Sequence, residues 1–174
     1  MTESNLELEK LPMFNPENLI LAATNVFAFL PMYVTDREGD YMTLALIYCT
    51  SIMSTVSHIF YHKYSKPYVV CDDLRNIYES LGKILNSLDV LGCVIIVARV
   101  SCLYYAYVGV RLTTPLLVCM TAYMFNILAE VFPRYYTLFH GTWHVLIYTS
   151  LGWLLSYIYM SKSVHAYVET FITP

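Results

Sequence analysis

Long apolar stretches alternate with short polar ones along the chain, which is typical of a protein that crosses a membrane several times. Most of the apolar stretches have about the 20 residues that a helix needs to cross a bilayer, and the first is near the lower limit of about 17. We predict five spans, at residues 18–34, 41–61, 81–100, 113–132 and 140–160. The predicted fold class is therefore an all-α, polytopic transmembrane helical bundle.

Polar segments flank the predicted 18–160 transmembrane domain on both sides. The N-terminal tail, 1–17, contains two prolines that prevent a long helix and is expected to lie at the membrane interface, and the C-terminal tail is 161–174. As an alternative to five spans alone, residues 104–110 could form an additional partial or re-entrant segment. We expect an integral, multi-pass membrane protein.

Composition agrees with this interpretation. Of the 174 residues 57% are hydrophobic and 13% are charged, whereas a soluble domain carries about 25% charged residues. The ten Lys and Arg residues are scattered without a basic stripe, so nucleic acid is not an expected partner. The five cysteines form neither a CxxC zinc motif nor a disulfide framework.

Three histidines are predicted to meet on one side of the membrane. His140 and His144 are four residues apart, so on a helix they share a face with Cβ atoms roughly 5–6 Å apart. Histidine within an apolar span is costly to bury without a partner. Consecutive spans are antiparallel, so the end of the second span lies on the same side as the start of the fifth, and this places His58 at a similar depth.

Three imidazoles are a standard ligand set for catalytic zinc, whose fourth position is taken by water. Zinc lowers the pKa of such a water to about 7. Asp89, at the start of the third span, is predicted to hold or deprotonate this water. Ser54 is predicted to bond the water, the carboxylate or a substrate carbonyl, and Asn86 to support the site.

Other interpretations of these residues stay open. Asp89 could form a buried salt bridge with Arg99 or Lys83, and Ser54 could satisfy its hydroxyl on its own backbone. Glu130 could pair with a nearby arginine or approach the metal.

Further histidine and aromatic residues have simpler interpretations. His62 forms a second four-residue pair with His58, but it follows at the end of the span beside Lys63, where a solvated histidine is expected. Trp143, Trp153 and the 17 tyrosines fit aromatic belts at the headgroup level.

A Ser-x-x-x-His in the second span, an Asp in the third and a His-x-x-x-His in the last resemble the pattern of the CREST superfamily. This superfamily of membrane hydrolases and receptors includes alkaline ceramidases, progestin and adipoQ receptors, and the myomaker-like branch. The segments 89–92 and 140–146 are most similar to the myomaker and post-GPI-attachment phospholipase branch. The resemblance covers about residues 18–160 and implies zinc bound by the three histidines. Family members usually have seven spans, and the two that this chain lacks before His140 would line the substrate pocket. A homo-oligomer would supply the missing walls.

The leading hypothesis is a zinc-dependent intramembrane hydrolase of a lipid amide or ester, ceramidase-like or phospholipase-like, with a membrane lipid as substrate. The second is a non-catalytic, myomaker-like protein of membrane remodelling, fusion or sensing, with a structural zinc. Bis-histidine haem ligation is a third hypothesis, which does not explain Ser54 and Asp89. Basic residues are more frequent on the site side, which favours a cytoplasmic site, whereas the resemblance implies a lumenal or exterior one, and both orientations stand as hypotheses.

Overall fold

The computed structural model describes residues 16–60 and 72–172. Most of the predicted N-terminal tail, and the loop that carries His62, lie outside these ranges. Within them the chain has no β-strand and forms six α-helices: α1 (Pro16–Thr24), α2 (Phe29–Arg37), α3 (Tyr41–Phe60), α4 (Asp72–Tyr107), α5 (Thr114–Val131) and α6 (Tyr136–Ile172). The prediction of an all-α helical bundle is confirmed.

Four segments are long and apolar enough to cross a membrane: Pro16–Arg37, Tyr41–Phe60, Ser80–Tyr107 and Thr114–Val131. They coincide with the first four predicted spans to within three residues, except that the third ends at Tyr107, seven residues later than predicted. The first is not one regular helix, because a 3₁₀ turn, Asn25–Ala28, joins α1 to α2. The described chain is thus a membrane protein by length and composition.

α6 contains the predicted fifth span but is not among those four segments. Histidine, tyrosine and tryptophan residues interrupt its apolar surface and lower its hydropathy. It is nevertheless the longest helix described, with 37 residues, and it continues through the predicted C-terminal tail as far as Ile172. The stretch 104–110 ends α4 and begins the connection to α5, without a re-entrant segment.

Two helical hairpins, α3–α4 and α5–α6, are joined by the N-terminal segment, which packs against both α3 and α6. α1 and α6 run parallel, as shown by contacts of Glu17 with Thr137 and of Thr24 with His144. The main apolar core lies where α3, α4 and α6 meet in the half of the bundle away from the histidines, and its fully buried members are Ala28, Ile47, Leu155 and Ile158.

A polar cluster around Asp40 ties α3, α4 and α6 together at the end of the bundle opposite the histidines. Asp40 caps α3, since its carboxylate accepts hydrogen bonds from the backbone N–H and the hydroxyl of Thr43, at 3.1 and 2.7 Å. It also accepts a hydrogen bond from Tyr159, at 2.8 Å, and forms an ion pair with Arg99, at 3.3 Å. Arg99 therefore pairs with Asp40 and not with Asp89.

Candidate metal centre

The structure brings together the three histidines that the sequence singles out. His58 lies near the end of α3, and His140 and His144 lie in the first two turns of α6. One ring nitrogen from each residue falls within 4.8 Å of the other two. The ring centroids are 4.7 to 5.1 Å apart, and the three side chains are only 2 to 9% exposed. They form the one group of this kind within residues 16–60 and 72–172.

Helix geometry explains this convergence. The four-residue spacing puts both histidines of α6 on one face. His58, near the end of α3, meets them near the start of α6, with its ring centroid 5.1 Å from that of each. Three imidazoles that point at one another in a buried space have the chemistry of a metal-binding group.

The Thr24 side chain determines the proton position on His144. Its hydroxyl donates its single proton to the carbonyl oxygen of Leu21, at 2.6 Å. The same oxygen lies 2.9 Å from Nδ1 of His144 and must therefore act as the acceptor of that contact. Neutral His144 consequently carries its proton on Nδ1, which leaves the Nε2 lone pair free to bind a metal.

Asp89 and Ser54 lie near each other about one turn deeper in the bundle than the histidines, because Ser54 precedes His58 by four residues on α3. Asp89 is 9% exposed and Ser54 is 1% exposed. Ser54 is close enough to the Asp89 carboxylate to interact with it, and the Cys93 sulfur lies 3.9 Å from one of its oxygens. The carboxylate is not one of the converging ligand atoms. Asp89 is therefore a residue near the histidines and not one of the three that converge.

α3 and α4, which carry Ser54 and Asp89, approach each other closely near these two residues. A Cβ atom at Gly92 would overlap the Thr50 side chain. Gly92 follows Asp89 by three residues and Thr50 precedes Ser54 by four, so the close contact and the polar pair lie on the same faces of α3 and α4.

Two other predicted residues lie outside this arrangement. Asn86 is half-buried one turn before Asp89 and takes part in none of the contacts above. Glu130 is exposed on α5 and is not one of the converging ligand atoms.

Several side chains around the histidines were not assigned to the site from the sequence. Trp143 lies between the two histidines of α6, 5.0 and 4.9 Å from their ring centroids, so it forms part of the wall. Tyr136 stacks on His140 at 4.8 Å. Tyr148, one turn after His144, donates a hydrogen bond to Asn25, at 3.0 Å. The signal that was available for Asn25 and for Thr24 was their polarity inside an apolar span.

Comparison with known proteins gives one named relative. Uncharacterized protein L282 of Acanthamoeba polyphaga mimivirus is 31% identical over 155 residues, which covers 82% of this chain and 98% of the relative. No family model matches the chain, and no solved structure matches it.

Proposed function

The chain belongs to the same family as uncharacterized protein L282 of the mimivirus, and we propose that it is a zinc-dependent intramembrane hydrolase of a lipid amide or ester. The observation that carries this proposal is the convergence of three buried imidazoles, whose ligand atoms lie within 4.8 Å of one another, with a buried carboxylate on the neighbouring helix α4. The resemblance of the same residues to the CREST superfamily supports the same activity.

The residues present fit zinc. His58, His140 and His144 supply the nitrogen ligands of a three-histidine site, which leaves one coordination position for water or substrate. The contact with Thr24 orients His144 through the nitrogen that does not face the metal, as is usual for zinc-binding histidines. Zinc, when bound, polarises the substrate carbonyl and lowers the pKa of water to about 7.

Asp89 and Ser54 then have distinct tasks. Asp89 takes the proton from the attacking water and returns it to the leaving nitrogen or oxygen, so that water is added across the bond that breaks. The products are a carboxylic acid and an amine or alcohol. The Ser54 hydroxyl, which lies near the carboxylate, would donate a hydrogen bond to it and hold its position.

Metal analysis of the purified full chain tests the zinc site. We expect about one equivalent of zinc and its loss in His140→Ala. The matched control is His165→Ala, because His165 is exposed near the far end of the same helix. Less than half an equivalent in the native protein, unchanged in His140→Ala, would contradict the proposal.

Catalysis is tested with a panel of ceramides and glycerophospholipids, with products detected by mass spectrometry. Asp89→Asn should lower hydrolysis by about 10²–10⁴-fold while the zinc content stays the same. Hydrolysis that survives this substitution would remove Asp89 from the mechanism.

A structural zinc in a protein of membrane remodelling, fusion or sensing is the second candidate. The observation that favours it is burial: the three histidines are at most 9% exposed, and structural zinc sites are closed. Full zinc occupancy without any product from the lipid panel would support this function over hydrolysis.

A further inference from the structure

A groove of about 680 Å³ runs along the outer side of the contact between α1 and α6. On α6 and the turn before it, the lining runs from Arg134 to Leu146, a length of about 18 Å at 1.5 Å per residue. Thr24 lines the groove from α1 and also contacts Nδ1 of His144. The groove therefore lies behind the metal centre, separated from it by the side chains of this contact.

The polarity of the groove changes along its length. Glu17, Arg134 and Thr137 line the end where α1 and α6 begin, whereas Val145 and Leu146 line the other end. At the polar end the Thr137 hydroxyl donates a hydrogen bond to Glu17, at 3.3 Å. The exposed guanidinium of Arg134 lies over the Tyr135 ring, 5.8 Å from its centroid. One end of the groove thus carries a cation, Arg134, together with the Glu17 carboxylate, and the other end is lined by hydrocarbon.

We propose that this groove binds one glycerophospholipid, with the phosphate at Arg134 and an acyl chain extending along α6 to Val145 and Leu146. α1 belongs to a segment long and apolar enough to cross a membrane, so the open side of the groove faces lipid. This binding requires neither zinc nor hydrolysis and does not rest on the proposed function.

The positive charge of Arg134 favours lipids that carry a phosphate over neutral lipids. A guanidinium binds phosphate through paired, charge-assisted hydrogen bonds. Diacylglycerol and ceramide offer the same hydrocarbon without a phosphate, so they satisfy the apolar end of the groove and leave Arg134 unused. Glycerophospholipid is expected to bind more tightly than either neutral lipid.

Photo-crosslinking in vesicles tests the proposal. The full chain is reconstituted in phosphatidylcholine vesicles that contain a trace of either phosphatidylcholine or diacylglycerol with the same photoreactive acyl chain, and labelled peptides are mapped by mass spectrometry. Labelling of residues 138–146 should be roughly five- to tenfold stronger with phosphatidylcholine. Arg134→Gln should remove this preference, and Arg111→Gln, on the exposed loop at the opposite end of the bundle, should keep it.

A second pair of variants tests whether the lipid occupies the groove itself. Leu138 is 62% exposed in the groove, so Leu138→Trp fills it without disturbing the core and should lower labelling by both probes. Leu117→Trp, at a position 48% exposed on α5, is the control and should leave labelling unchanged.

Equal labelling by the two probes in the native chain, or no effect of Arg134→Gln and Leu138→Trp, would overturn the proposal. Labelling of the protein after zinc removal tests whether lipid binding in the groove is independent of the proposed zinc-dependent function. We expect the same preference for phosphatidylcholine in the chelated protein. Loss of this preference after chelation would contradict the claim that the groove binds lipid without the metal.

Discussion

Gly92 on α4 lies directly against the side chain of Thr50 on α3, with no room for a methyl group between them. The contact is one turn from Asp89, so it sets the distance at which α4 presents the carboxylate to the histidines. Gly92→Ala should lower the free energy of unfolding by about 1–3 kcal/mol, because the helices must separate to admit the new methyl group. Thermal or denaturant unfolding in detergent measures the effect.

Gly141→Ala is the matched control for this substitution. A Cβ atom at Gly141 would lie 3.6 Å from Leu21 and Thr24, an ordinary contact, and alanine is the better helix former by about 1 kcal/mol. It should be neutral or stabilising. Equal stability of the two variants would show that the contact with Thr50 does not restrain the helices.

Thr24→Val should weaken zinc binding by about 10–100-fold, the usual effect of removing a partner that orients a metal-binding histidine. Valine has nearly the shape of threonine but cannot accept the hydrogen bond from Nδ1 of His144. Titration against a zinc indicator gives the affinity. Thr121→Val, at an exposed threonine bonded to its own helix backbone, should bind zinc as the native protein does, and the same affinity in both variants would contradict the role of Thr24.

Zinc should also stabilise the fold, because its ligands come from α3 and α6 and are not held together in the unfolded chain. At 100 times the dissociation constant the gain is about 2.7 kcal/mol, a rise in Tm of roughly 5–10 °C. Adding zinc to chelated protein in a thermal scan measures it. His58→Ala should abolish the rise, and a rise that persists in this variant would place the metal elsewhere.

Asp40→Asn should destabilise the protein at neutral pH by about 1–3 kcal/mol, since one of the two acceptor oxygens of a half-buried carboxylate is lost together with the charge that pairs with Arg99. Burial alone would raise the pKa of Asp40, but hydrogen bonds from Thr43 and Tyr159 and the charge of Arg99 outweigh it and hold the pKa below its ordinary value of 3.8. A lowered pKa contributes stability that is complete above the unfolded value and is lost as the pH falls through the folded value.

Unfolding of native and Asp40→Asn protein at several pH values tests this dependence. The difference between them should be constant above about pH 5 and should shrink below about pH 4. Asp36→Asn, in the last turn of α2, is the control and should follow the native protein throughout. A difference that grows toward low pH would contradict the assignment.

Local pattern predicted much of the bundle. The first four spans appear within three residues of the predicted boundaries, apart from the end of the third, because apolar length is a property of each segment alone. The predicted break after Met160 does not appear, since a polar stretch outside the apolar region can continue a helix as far as Ile172. The alternation of direction between consecutive spans was also enough to place His58 at the level of the two histidines of α6.

The sequence pattern could not predict which residues on different helices contact each other. Arg99 was considered as a partner for Asp89, but it lies three turns farther along α4 and reaches Asp40. The same limit applies to Gly92 and Thr50, whose contact depends on how α3 and α4 are rotated about their axes.

The sequence by itself determined that the chain is helical, that it has the composition of a membrane protein, and that three histidines lie at one depth. These properties follow from hydropathy, the 3.6-residue period and the parity of crossings. Only the tertiary structure decided that Thr24 orients His144, that Gly92 draws α4 against α3, and that a groove with a cationic end lies behind the site. Each of these depends on which faces of separate helices meet, and packing of the whole bundle determines that.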